Sequence, residues 1–164
     1  MLDLFNNDEW RPVIKQGIEI PDYYINKKGE CYSLKTNKIK TPSKSFNYLE
    51  GRKTLKCLDY SLMADNKLIL DYNYRKKGRN NYEFKIKVHT AVMNAWKPIE
   101  EYPPIPKEDW DKCPDSAKQF MKENVIIDHI DDDPTNNHVD NLRWSTQKQN
   151  CHWVKHSKGM LDND

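Results

Sequence analysis

The stretch that decides the fold is Val125-Ile-Ile-Asp128-His129-Ile-Asp131-Asp132-Asp133-Pro-Thr-Asn136-Asn137-His138-Val-Asp140-Asn141-Leu-Arg143-Trp144-Ser-Thr146-Gln-Lys-Gln149-Asn150. Its three leading residues are apolar and mostly β-branched, which predicts a short buried strand. Asp128 and His129 close that strand. A loop rich in Asp and Asn with one proline follows, the composition of a tight connection. Asn141-Leu-Arg-Trp-Ser predicts a second short strand. Thr146-Gln-Lys-Gln149 has the spacing of a capping box, so a helix is expected to start there with Asn150 in its first turn. Strand, loop, strand and helix together bring Asp128, His129, Asn141 and Asn150 toward one place.

The residue types say what such a place can do. A carboxylate and an amide oxygen are hard donors that suit Mg²⁺ or Mn²⁺ better than zinc. Two protein donors leave positions for water and phosphate oxygens. A histidine beside them can take a proton from water near neutral pH. The set suits phosphodiester hydrolysis, with the cation stabilising charge and the imidazole making the nucleophile.

The run D-H-I-D-x-D-x-x-N-N-x-x-x-N-L-R-W-x-T-x-x-x-N resembles the HNH motif of bacteriophage homing endonucleases. Eleven residues separate His129 from Asn141, and eight separate Asn141 from Asn150. The resemblance implies a ββα-metal finger in which His129 is the general base. It implies that Asp128 and Asn150 hold one divalent ion and that Asn141 orients the histidine. Asp131-Asp132-Asp133-Pro134 stands where the family usually has Asp-Gly-Asn, a departure in loop shape. A solvated acidic turn is the simple account of those aspartates, and support of the site is the other. His138 could contact a phosphate or brace the loop. Arg143 could contact a phosphate or pair with Asp140 or Asp131. Leu142 and Trp144 are expected to pack the small core of the finger.

Outward from this stretch, charge is unevenly placed. Net charge is +2 over 164 residues, but residues 27–87 hold 16 Lys/Arg against 6 Asp/Glu, whereas residues 88–164 hold 9 against 14. The middle segment is therefore the expected polyanion-binding part. Charged residues make 32% and mean hydropathy is −1.01, while nine Tyr and five Trp argue against a disordered chain. Those values suit small modules laid along a long partner.

Tyr23 to Ile39 reads as a β-hairpin with turns at Asn26–Gly29 and at Thr36-Asn37. With Trp10 ahead of it, this segment resembles the small module found beside HNH domains. The resemblance implies that Lys27, Lys28, Lys35, Lys38 and Lys40 help dock DNA. Residues 53–88 hold three strand-like runs, Leu55 to Met63, Leu68 to Tyr74 and Tyr82 to Val88. Arg75, Lys76, Lys77 and Arg79 surround the last turn, a basic tip that can ride a phosphate backbone. Val88 to Lys97 reads as a helix stopped by Pro98. It resembles the helix that precedes the finger in the phage enzymes, with Thr90 in place of the usual Arg. His89 is expected to pack or to contact backbone rather than to catalyse. Residues 97–115, with five prolines, read as an irregular linker, and Ser116 to Asn124 as a helix.

Cys31, Cys57, Cys113 and Cys151 are widely spaced with no C-x-x-C, so no structural zinc is expected and the thiols are read as free in a reducing compartment. No signal peptide or long apolar run is visible, so a cytoplasmic protein of a bacterial host cell, bound to no membrane, is expected. The expected fold is α+β: a β-rich DNA-binding part over 1–97, a linker and helix over 98–124, and a ββα-metal finger over 125–164. The expected function is metal-dependent, site-specific cleavage of double-stranded DNA by a monomer. A less selective phage nuclease and a non-cutting DNA-binding regulator are the alternatives.

Overall fold

The computed structural model describes residues 8–49, 51–64, 74–77 and 81–150. Strands β1 (Trp10–Lys15), β2 (Ile18–Asn26), β3 (Cys31–Ser33) and β4 (Lys38–Lys40) form one antiparallel sheet in sequential order. Strands β5 (Ser43–Leu49), β6 (Arg52–Ala64), β7 (Tyr74–Lys76) and β8 (Tyr82–Lys87) form a second sheet, ordered β5-β6-β8-β7. Helix α1 (Val88–Trp96) follows directly, then α2 (Lys107–Lys112) and α3 (Asp115–Asn124). Strands β9 (Ile126–His129) and β10 (Leu142–Ser145) pair antiparallel as a ribbon, joined by a loop that ends in a 3-10 turn, Val139–Asn141.

Helix α1 is the centre of the molecule. It contacts β1 and β2 of the first sheet, β6 and β8 of the second, and both strands of the ribbon. Val88, Ala91, Val92, Met93, Ala95 and Trp96 are all buried. A helix apolar on most of its circumference needs neighbours on several sides, and three sheets supply them. Complete burial of a side chain the size of Met93 contributes about 1.5–3 kcal/mol. The helix ends at Lys97, whose N–H still reaches the Met93 carbonyl, because Pro98 disfavours helical backbone in the residue before it.

One hydrophobic core runs through the chain. It joins Val13, Ile20 and Ile25 of the first sheet, Leu62 and Phe84 of the second, α1, and Val139 and Leu142 of the last segment. Leu142 therefore packs into the common core, with Trp144 against its edge, instead of into a separate core for the finger. Trp144 also donates from Nε1 to the Lys97 carbonyl at 2.8 Å, tying the ribbon to the end of α1.

Three elements were not read from the sequence. β1 contains Pro12, tolerated because the β1–β2 register slips between Pro12 and Ile14. β5 is a polar strand paired along the exposed half of β6. α2 lies inside the proline-rich stretch: Pro106 caps its start, where a missing N–H costs nothing, and Trp110 anchors it at 2% exposure. The expected strand from Leu68 to Tyr74 lies, apart from Tyr74, outside the described residues.

Candidate active site

Register places the first two site residues. In the β9–β10 ribbon Asp128 lies opposite Arg143, and His129 opposite Leu142. Side chains alternate along a strand, so Ile127 and His129 share a face, and Asp128 takes the other. Asp128 is buried, 7% exposed, and is held by Arg143: Nε and Nη2 approach the same oxygen, Oδ2, at 2.8 and 2.7 Å. Arg143 thus pairs with a carboxylate that was not among the partners read for it from the sequence. Its ion pair is with its cross-strand neighbour Asp128, because direct opposition on a ribbon outweighs proximity in the loop.

The loop between the strands is built by its own side chains. Asp131 accepts from the Asp133 N–H and from the Asn136 and Asn141 amides, and Asn141 Oδ1 accepts from the Asp131 N–H. Asp133 in turn accepts from the N–H and hydroxyl of Thr135. These donors, Asn136 first, hold the Asp131 carboxyl down at about 2. The aspartates thus shape the turn, and Asp132 at φ 61° makes the sharp step that Gly makes in the usual motif. His138 accepts from the Asp140 N–H through Nδ1, capping the 3-10 turn.

His129 donates its hydrogen bond to an unexpected residue. Its Nε2 lies 3.1 Å from Asn137 Oδ1. The Asn137 amide nitrogen points the other way, donating to the Thr135 and Pro134 carbonyls at 3.1 and 3.4 Å. Its oxygen can only accept, so Nε2 carries the hydrogen and Nδ1 is the basic nitrogen. The Asn141 side chain, expected from the resemblance to orient the imidazole, donates to Asp131 and to the Asn136 carbonyl, and its own carbonyl accepts from the Ile130 N–H beside His129. Sequence reasoning missed Asn137. The pair Asn136-Asn137 was visible, but which of the two turns inward depends on the loop.

Below His129 sits His89, the second residue of α1. The two rings meet edge to face, with centroids 5.3 Å apart and planes at 78°. Burial, followed by His129 and Lys87, pushes the His89 pKa down to about 3, so this imidazole is neutral. Its Nδ1 is buried with no partner.

Asn150 arrives from the helix as read from the capping box. Thr146 N–H and Oγ1 donate to Gln149 Oε1, and Gln149 N–H donates back to Thr146 Oγ1. Residues 147–150 are helical. Asp128, His129 and Asn150 then line one open cavity of about 300 Å³ with Leu55, Ile127, Asp132 and Pro134. Leu55 comes from β6, so the second sheet forms one wall. A neighbouring cavity is lined by His89 together with Lys56 and Lys87, two basic residues that were not singled out in the sequence.

The candidate DNA contacts are scattered by the fold. Lys28 and Lys38 are exposed. Lys27 lies over the Trp96 ring at 5.0 Å and Lys40 over Tyr23 at 5.8 Å. Lys35 pairs with Asp22 and Lys77 with Glu83. Arg75 and Lys76 are exposed on β7, and Arg79 lies outside the described residues.

Residues 99–152 match the family described as HNH endonuclease. The chain carries an HNH endonuclease domain. In structure it is similar to the HNH homing endonuclease I-HmuI, whose structure was described for DNA binding and cleavage. The identity is 22% and the TM-score 0.50, over 94% of this chain and 61% of that one. The chain spans about three-fifths of that protein's length, and the likeness is one of fold. No curated protein matches the sequence.

The donor set of the HNH domain fits a hard divalent ion. Among the described residues no three His, Cys, Asp or Glu side chains cluster to hold a metal. The cavity instead offers one carboxylate and one amide oxygen, Asp128 and Asn150, and is open enough for water or phosphate oxygens to complete a shell. Zinc would find no thiolate in it.

Proposed function

We propose that this chain is a metal-dependent endonuclease that hydrolyses phosphodiester bonds of double-stranded DNA, acting as a homing-type, site-specific enzyme. The observation that carries the reading is the shared cavity of Asp128, His129 and Asn150 within the HNH domain. His129, with Nε2–H committed to Asn137, takes a proton from water at Nδ1 as the water attacks phosphorus. Asp128 and Asn150 would hold a divalent ion, which when bound stabilises negative charge on the phosphate and the leaving oxygen. Arg143 fixes Asp128 by its Oδ2 and leaves Oδ1 as the donor for the cavity. Neutral His89, edge to face with the His129 ring, adds no competing charge beside the base.

DNA binding falls to the basic part. Lys56 and Lys87 line the cavity next to the site, and Lys28 and Lys38 stand exposed in the first sheet and its turn, where they would meet the phosphate backbone. The test is incubation of the full chain with supercoiled plasmid. Nicked or linear product with Mg²⁺ or Mn²⁺ and none with chelator supports the reading. DNA bound and retained intact under every metal condition would leave a binding protein in its place.

A further inference from the structure

Asn137 is 3% exposed in a loop whose neighbours Thr135 and Asn136 face solvent. Its burial comes from the N-terminal sheet, more than one hundred residues away in sequence. Gly29, in the turn between β2 and β3, has φ +85°. A Cβ built there would lie 3.1 Å from Asn137 Cβ, 3.5 Å from the Asn137 carbonyl and 2.9 Å from Val88 Cγ1. Two residues along the loop, Val139 N–H donates to the Lys27 carbonyl at 2.8 Å. The turn therefore grips the loop on both sides of His138.

The turn is stiff enough to serve as a reference surface. Asn26, itself buried, accepts on Oδ1 from the N–H groups of Lys28 and Glu30 at 3.0 and 2.9 Å, and its carbonyl accepts from the Gly29 N–H. From β6, Tyr60 donates its hydroxyl to the Gly29 carbonyl at 2.9 Å. Burial pushes that phenol up to about 12, so it remains a donor. Both larger sheets thus converge on Gly29, and Gly29 lies so close to the residue that holds His129 that an added Cβ would crowd it.

We propose that the Asn26–Glu30 turn is a positioning device for His129, acting through Gly29, Asn137 and the Lys27–Val139 backbone bond. Gly29 and Asn137 are positioning residues: they touch no substrate, but they set the ring angle and the tautomer of the imidazole that faces the cavity. The role of His129 rests on the reading above; the contacts that place it do not. The consequence is that the N-terminal sheet is part of the cleavage machinery as well as of the binding surface. Displacing it by a fraction of an ångström disturbs the base without touching the metal donors.

The test uses the full chain labelled with ¹⁵N-histidine. Proton–nitrogen correlation spectra at about pH 8, where an ordinary imidazole is neutral, report which ring nitrogen of His129 holds the hydrogen. Gly29→Ala and Asn137→Ala are compared with Gly17→Ala, a glycine at φ +76° with nothing within 4 Å of an added Cβ. Wild type and Gly17→Ala should show one Nε2–H tautomer, and Asn137→Asp, which keeps an acceptor, should retain it. Gly29→Ala and Asn137→Ala should show mixed tautomers, and in uniformly ¹⁵N-labelled protein faster amide exchange at Val139. Their kcat should fall by at least ~10-fold, the scale of a base displaced by a fraction of an ångström, with KM for DNA nearly unchanged. If Gly29→Ala is too poorly folded, the Asn137 pair carries the test alone. A single Nε2–H tautomer and wild-type kcat in folded Gly29→Ala or Asn137→Ala would overturn the proposal. A wild-type chain that cleaves no DNA would overturn the functional reading, while the tautomer comparison would still decide the positioning.

Discussion

Arg143 grips Asp128 through one carboxylate oxygen: both guanidinium contacts, at 2.8 and 2.7 Å, fall on Oδ2. The carboxylate is 7% exposed and the guanidinium side chain 33%. Removing the cation leaves a buried charge with no counterion. Arg143→Gln should lower unfolding free energy by about 2 kcal/mol, below the ~3–5 of a fully buried pair because the guanidinium is partly solvated. A divalent ion replaces the missing charge, so millimolar Mn²⁺ should raise the melting temperature of Arg143→Gln more than that of wild type. Thermal melts with Mn²⁺ and with chelator measure both effects.

His89 makes stability depend on pH. Its folded pKa is about 3, whereas an unfolded imidazole titrates near ~6.5. Between those values the unfolded chain binds one more proton, so stability is complete above the upper value and is lost as pH falls toward the lower one. From pH 7 to pH 5, wild type should lose about 2 kcal/mol more than His89→Gln, by the linkage of one proton. Urea unfolding of both proteins at the two pH values checks the difference.

Thr146 tests the placement of Asn150. Its exchange of hydrogen bonds with Gln149 starts the turn that carries Asn150 into the cavity. Thr146→Ala should cost about 1 kcal/mol of stability, the usual worth of such a cap. It should also raise the Mn²⁺ concentration needed for half-maximal cleavage, leaving the rate at saturating metal near wild type. Metal titrations of cleavage for the two proteins read this directly.

Two lysines should behave differently. Lys38 and Lys27 are both exposed, but Lys27 lies over the Trp96 ring. Lys38→Ala should weaken DNA binding and reduce the slope of log K against log salt by about 0.9, the share of a single neutralised phosphate. Lys27→Ala should act mainly on stability, by about 0.5–1 kcal/mol, the worth of an exposed cation–π interaction. Binding isotherms at four salt concentrations, with parallel melts, separate the two.

Local features of this chain were legible and long-range ones were not. Thr146 and Gln149 are three residues apart, and their geometry follows from helix start alone. Asp128 and His129 were legible because residue chemistry and spacing select them together. Arg143 to Asp128 needed the register of the ribbon, and Asn137 to His129 needed the path of a loop shaped by Asp131. Most remote is Gly29 against Asn137: only a folded chain shows that a glycine in the first hairpin touches the loop of the HNH domain. The shared core was missed for the same reason, since no local pattern says that Leu142 packs with Ile25. β5 escaped because its polar residues pair along a solvated edge, and α2 because prolines flank it.

The central claim is that His129 moves the proton while Asp128 and Asn150 hold the metal. Cleavage titrated with Mn²⁺ for wild type, His129→Ala, Asp128→Ala and Asn150→Ala tests it most directly. His129→Ala should lose roughly 10²–10⁴-fold in rate at every metal concentration, the share of a general base, with DNA and Mn²⁺ binding retained. Asp128→Ala should need far more metal and regain part of its rate in excess Mn²⁺, and Asn150→Ala should do the same more mildly. Rescue of His129→Ala by excess Mn²⁺, with Asp128→Ala left unresponsive, would contradict the assignment.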